Sequence, residues 1–333
     1  MRSSYLLVLI LSFLLVGCGG SNASNSTSAA ANGSPKKETF NRVDEDLQKQ
    51  IASIAEAAQG KVGVYAAVLE EGDGRTVSYN ADQRFAMQSV VKLPVAMAVL
   101  ELVSEGKFSL PDKIEFSKNE LVNPNQRSPL RDRSPDGGVT TIVDLLNLAI
   151  VESDGTACDV LTRLAGGTVG VQTFVDSLGV RDIEIKQTHK EFGTNWEAQY
   201  ENWATPEALV NLLSRLHSSV EKEREYEAQH PSPTATNMLT GMRLLENFMF
   251  LSKPGENRLK GLLPEASRVS HKTGTGGTRN GVTSATNDVG IITMPNGKHI
   301  AIAVFVGDSK ADEKTREAVI AKTAKAVWDA WNK

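Results

Sequence analysis

The feature that most constrains this chain is where its β-type runs fall. "KVGVYAAVLEE" and "RTVSYN", separated by "GDG", read as a hairpin near the start. "RVSHKTGT", "NDVGIITMP" and "HIAIAVFVGD" read as strands close to the end. From about 88 to 235 the apolar spacing is mainly helical, as in "PVAMAVLELVSEG", "TIVDLLNLAIVES", "TACDVLTRLAGG" and "PEALVNLLSRLHSS". One antiparallel sheet built from both chain ends, beside a helical insert, satisfies this pattern. The expected class is therefore α+β: an α/β part over about 43–87 and 236–333, and an all-α part over about 88–235. Two helices complete it. "RVDEDLQKQIASIAEAA" places Val43, Leu47, Ile51 and Ile54 on one stripe, and "EKTREAVIAKTAKAVWDAWNK" closes the chain.

The N-terminus is a separate matter. Arg2, the apolar run "YLLVLILSFLLV" and the small-residue boundary "GCGG" describe an export signal too short to span a membrane as a helix. "LVGC" resembles a bacterial lipobox. Residues 1–18 are thus expected to be a lipoprotein signal ending at Cys18, the lipidation site, with 19–42 as a Gly-, Ser-, Asn- and Ala-rich linker. Residues 43–333 remain for a catalytic domain. The expected location is the cell envelope, anchored to a membrane through the lipid. The other cysteine, Cys158, then has no internal disulfide partner and reads as a small buried hydrophobe. A net charge of −4, without a basic block, argues against nucleic acid as a partner.

Three short motifs carry the chemistry. "FAMQSVVKLP" puts Ser89 three residues before Lys92, on one face of a helix. A serine hydroxyl needs a neighbouring base, and a lysine can serve when burial lowers its pKa. The same spacing recurs at Ser34, Ser104 and Ser219, all in polar or charged surroundings; only Ser89 lies in an apolar run. "VESDGTACDVL" contains Ser153, Asp154 and Gly155. "SHKTGTGGT" contains Lys272, Thr273, Gly274 and Thr275 on a strand that ends in glycines, where a substrate backbone could pair and a cation could meet a carboxylate. The glycines also suit a plain turn. The five histidines (His189, His217, His230, His271, His299) show no metal-ligand spacing, no G-x-S-x-G is present, and no phosphate loop or dinucleotide fingerprint occurs. No metal and no cofactor is expected.

S-x-x-K, then Ser-Asp-x, then Lys-Thr-Gly is the ordered set of class A β-lactamases and penicillin-binding proteins. Over nearly all of residues 45–333 the chain resembles the class A β-lactamases. "FAMQSVVKL", "SDGTACDVL", "RLKGLLPEASRVSHKTGT" and "ATNDVGIITMPNGKHIAIAVFV" look like the extended-spectrum branch of the PER, VEB and CfxA enzymes. The resemblance implies a β-lactamase/DD-peptidase-like fold and a monomer acting on β-lactams or peptidoglycan-like small substrates. It implies roles as well. Ser89 is the nucleophile, Lys92 its proton acceptor or relay, and Ser153 the donor to the leaving nitrogen. Asp154, Lys272, Thr273, Gly274 and Thr275 belong to the substrate site, with Lys272 and Thr273 on the carboxylate. The N–H groups of Ser89 and Thr275 form the oxyanion hole.

The sequence departs from that family at two functional positions. Gly155 replaces an asparagine whose amide can bond substrate and lysine. The loop "KQTHKEFGTNWEAQYENWATPEA" carries His189 where the family has the glutamate that activates the deacylating water; Glu191 follows two residues later. Either Glu191 supplies the carboxylate after a local shift, or His189 is the base, or deacylation is poor and the protein is a penicillin-binding enzyme or sensor. Pro94 is also unexpected, since proline inside a helix removes a hydrogen bond.

Overall fold

A computed structural model describes residues 42–230 and 241–332. Cys18 and the expected signal lie outside the described residues, as does nearly all of the expected linker. The chain opens with β1 (Arg42–Val43), α1 (Glu45–Ala55), β2 (Lys61–Val68), β3 (Arg75–Tyr79) and β4 (Phe85–Ala86). A 3-10 turn, Gln88–Val91, leads directly into α2 (Lys92–Ser104). Then come β5 (Lys113–Ser117), α3 (Pro129–Arg133), β6 (Gly137–Thr141), α4 (Ile142–Ile150), α5 (Gly155–Leu164), α6 (Gly167–Ser177), β7 (Ile183–Glu184), α7 (His189–Phe192) and β8 (Trp203–Ala204). The remainder is α8 (Pro206–Gln229), α9 (Gly241–Phe250), β9 (Arg268–Thr275), β10 (Thr278–Arg279), β11 (Val282–Thr293), β12 (His299–Ser309) and α10 (Glu313–Trp331).

Early and late strands share one sheet, as expected. Its order is β1-β3-β2-β12-β11-β10, with β9 also on β11. All pairings are antiparallel except the short β1–β3 contact. β2 and β12 are buried on both faces and are apolar almost throughout, whereas β11 is apolar only in its second half and buries Asn287 and Asp288 in its first. Along β12, Ile300, Ile302, Val304 and Val306 join one core with Leu47 and Ile51 of α1 and Val319, Val327 and Trp331 of α10. Ala301, Ala303 and Phe305 alternate onto the other face, in a core shared with α2, α4, α5, α8 and α9. No described helix is long and apolar enough to cross a membrane.

Two expectations are corrected. Val43 is not on the α1 stripe: it lies in β1 and is 53% exposed. Asp44 caps the helix instead, its side chain accepting from Leu47 N at 3.1 Å, so the helical period starts after Val43. Pro94 breaks nothing, because α2 begins at Lys92. Proline is tolerated in a first turn, where N–H groups lack α-helical partners. The helical part also holds two small sheets, β5–β6 and β4-β8-β7. Their strands are too short to show a period of two clearly.

Candidate active site

The 3-10 turn presents Ser89 at the entrance to α2, with Lys92 one turn along. Lys92 is 1% exposed and donates from Nζ to Ser89 Oγ at 2.7 Å. Burial pushes the Lys92 pKa down to about 8, against the opposing pull of Cys158, Asp154 and Asp159. Close packing against β9 fixes the turn. A Cβ on Gly274 would lie 2.3 Å from Met87 O, so only glycine lets the strand approach. Gly274 is therefore a strand residue at a close contact, whereas Gly276 and Gly277 lie in the turn before β10.

Lys272 projects from the face of β9 that carries Gly274. It is fully buried and donates to Ser153 Oγ at 3.0 Å and Thr273 O at 3.1 Å. Burial first, and then the Lys92 charge, hold its pKa well below the usual lysine range. Ser153 adopts φ 58°, a left-handed conformation uncommon for a side chain with Cβ and typical of strained functional turns. Asp154 stabilises that turn from behind. It is fully buried, and its carboxylate accepts from Ser128 Oγ (2.9 Å), Ala157 N (2.9 Å) and Leu130 N (2.6 Å). Its oxygens are committed to the protein, so it supports the site from behind the Ser153 turn. Thr273 is buried on the opposite face of the strand from Lys272, with its methyl towards Gly255. Thr275, at the strand end, is exposed and accepts from Arg258 Nη2 at 2.9 Å.

The loop between β7 and β8 closes the other side. His189, 5% exposed, places Nε2 2.5 Å from Lys92 Nζ. Its Nδ1 lies 3.6 Å from Asp159 Oδ1, so the ring is held between a carboxylate and an amine. Burial, then the Lys92 charge, lower the His189 pKa to about 4, and the ring is neutral at pH 7. Asp159 also accepts from His189 N (2.7 Å) and Lys190 N (2.9 Å), fixing where α7 begins. Glu191 takes no part in this contact. It is exposed, and Oε2 accepts from Thr188 N and Thr188 Oγ1, both at 2.8 Å, as the third helical residue of a capping box. The expectation that a loop shift brings Glu191 to the site is corrected on that geometry. Two neighbouring carboxylates are engaged elsewhere: Glu197 with Arg279 at 3.2 Å, and Glu201 with Gln187 Nε2 at 2.9 Å.

Several supporting residues carry no sequence signature. Asn202 accepts from Lys186 N and Gln187 N and receives Met87 N on its carbonyl, tying the loop to the Ser89 turn. Gln88, at φ 51°, donates to Gln199, which also accepts from Ser284. Buried Arg258 donates to Gly274 O and Asn287 O and fixes the end of β9. Each acts through tertiary contacts, which residue spacing does not encode.

Comparison with known proteins fits this geometry. The model of the beta-lactamase enzyme family matches residues 46–331. The chain belongs to that family. It is 37% identical to Beta-lactamase VEB-1 of Pseudomonas aeruginosa over 87% of this chain and 91% of that one. It is 31% identical to Extended-spectrum beta-lactamase PER-1 of the same organism, over 85% and 86%. Among solved structures, TLA-3 extended-spectrum beta-lactamase is similar with TM-score 0.76 at 37% identity, covering 87% of this chain and 99% of that one. A beta-lactamase from Chitinophaga pinensis gives TM-score 0.76 at 38% identity, covering 86% and 99%. The resemblance to the class A extended-spectrum branch and the α+β fold are thereby established.

Within this β-lactamase, Gly155 has a packing context. A Cβ there would stand 3.2 Å from Val122 Cγ1 and 3.4 Å from Arg127 O, so an asparagine would require Val122 to yield. Lys92 hydrogen-bonds to Ser89 and His189. Cys158 is buried and free, with burial raising its thiol pKa to about 12.

Proposed function

We propose that the chain hydrolyses the β-lactam amide through an acyl-enzyme on Ser89, with His189 at the deacylation step. The observation that carries this reading is the 2.7 Å contact between a fully buried Lys92 and Ser89. With a pKa of about 8, roughly a tenth of Lys92 is neutral at pH 7 and able to take the serine proton. Ser89 Oγ attacks the lactam carbonyl carbon as its proton passes to Lys92. The oxyanion is held by the N–H groups of Ser89 and Thr275. Collapse breaks the C–N bond, and Ser153, bonded to Lys272, delivers a proton to the leaving nitrogen. Lys272 also attracts the substrate carboxylate. Ser153 regains the proton that Lys92 took from Ser89. Water then attacks the ester carbonyl, its proton going to His189 Nε2, and Ser89 leaves with that proton passed on from His189 through Lys92.

A neutral imidazole has one acceptor nitrogen, and here Nε2 faces Lys92. A carboxylate in that place could accept from lysine and water together. Deacylation is accordingly the slow step, and hydrolysis shows a burst followed by a slower steady state. The same observation favours a second reading, a penicillin-binding DD-peptidase-like enzyme or sensor that acylates without turnover. Nitrocefin hydrolysis with parallel mass spectrometry separates the two. Steady turnover supports the first, and a stoichiometric burst with a permanent adduct supports the second. Ser89→Ala abolishes both turnover and labelling by a fluorescent penicillin; undiminished labelling would remove Ser89 as nucleophile.

Cys18, in "LVGC", anchors the chain at the cell envelope, and a single chain supplies every group in the site, which suits a monomer. Cys18→Ser moves the protein from membrane to soluble fractions; retention in the membrane fraction contradicts the lipid anchor.

A further inference from the structure

Residue spacing shows no metal motif, yet the fold brings two of the scattered histidines onto one carboxylate. Glu70 follows the end of β2, His299 begins β12, and His217 projects from α8, which packs across both strands. One ligand atom from each residue lies within 4.8 Å of the other two. Glu70 Oε1 accepts from His299 N at 2.7 Å and pairs with His299 Nδ1 at 2.9 Å. The second carboxylate oxygen, Glu70 Oε2, and His217 Nδ1 are both buried without a hydrogen-bond partner. Unpartnered buried polar atoms are costly and rare, and two of them on one three-residue cluster need an explanation.

We propose that Glu70, His217 and His299 bind a borderline divalent cation, with zinc the best match. Two imidazoles and one carboxylate form a zinc ligand set that leaves a fourth position for water. Three atoms within 4.8 Å of one another have a centre no more than about 2.8 Å from each, against zinc bonds of about 2.0–2.2 Å. Closing that gap takes side-chain movement of up to about 0.8 Å per ligand. The ion replaces the proton shared by His299 Nδ1 and Glu70 Oε1; His299 remains neutral by carrying its proton on Nε2. His217 is 8% exposed, and its Nδ1 has no hydrogen bond to give up. Glu70 and His299 are half-buried, which leaves a route for entry.

The site is distinct from the reaction centre. Lys272 pairs with Val289 and Val289 with Ala303, and His299 is four residues further along β12, about 13 Å at strand spacing. An ion there clips α8 to the β2–β12 pair, so its effect is on stability.

The test uses the full chain, stripped with chelator and titrated with Zn²⁺ against a competing fluorescent indicator. Thermal denaturation is followed in parallel. The expected result is one Zn²⁺ per chain and a raised Tm, with affinity at least about tenfold weaker in Glu70→Gln and in His299→Gln. Both variants keep the native nitrocefin turnover. Cobalt gives the d–d absorption of a nitrogen and oxygen site in the native protein and loses it in Glu70→Gln. His217→Gln is the third ligand test, and the two half-buried positions decide if it fails to fold. The cluster of Cys158, Asp159 and His189 is the competing locus. Binding that survives Glu70→Gln and His299→Gln, or that disappears in His189→Ala alone, overturns the proposal, as does no saturable binding.

Discussion

The two sides of Ser89 are built differently. On one side, regular elements bring Lys272 on β9 to Ser153 before α5, and the 3-10 turn brings Lys92 to Ser89. Both contacts join a lysine to a serine in a buried setting. On the other side an irregular loop, held by Asn202 and Asp159, sets His189 against Lys92 and turns Glu191 outward. Bond making at the lactam carbonyl thus draws on rigid groups. In the proposed reaction, release of the acyl group would depend on one imidazole nitrogen already engaged by a lysine.

The largest test of the first side is Lys272→Ala. A charge-assisted hydrogen bond is worth about 1.5–3 kcal/mol, so kcat/KM should fall roughly 10- to 100-fold. An unchanged value would mean the carboxylate is held elsewhere; Arg279, exposed beside Glu197 and Trp196, would be the next cation to test. The second side is sharpened by Glu191→Gln. Weakening the capping box should lower stability by a few tenths to about 1 kcal/mol, measured by urea denaturation, and leave deacylation as it was. Accumulation of acyl-enzyme in that variant alone would restore Glu191 as base.

The sheet was legible because its strands are long, apolar and placed at both ends, and β2, β3, β9, β11 and β12 all fall on the runs that predict them. The motif trio marked Ser89, Lys92, Ser153 and Lys272, and the fold brings these four into two hydrogen-bonded pairs. Asp154 shows the limit of a motif, since membership in the tripeptide does not say where a side chain points. Asp154 is consumed by three donors behind the Ser153 turn. Counting along the chain located His189 but could not say what it touches, because Asp159 and Gln126 position the loop from distant segments. The Glu70, His217 and His299 cluster was invisible for the same reason.

The central claim is that His189 limits release of the acyl group because its one acceptor nitrogen is shared with Lys92. Time-resolved mass spectrometry of the Ser89 adduct, in the native protein and in His189→Glu, tests it most directly. The native adduct should be populated at steady state. Its decay should quicken as pH rises through about 8, where Lys92 loses its proton and no longer needs the imidazole as acceptor. Below that range the decay should stay slow and nearly flat until the His189 pKa of about 4 is approached, where protonation stops it. In His189→Glu the carboxylate can accept from Lys92 and water at once, and the adduct should decay at least about tenfold faster at pH 7. An adduct equally long-lived in His189→Glu, or a native adduct whose decay ignores pH between 6 and 9, would contradict the account.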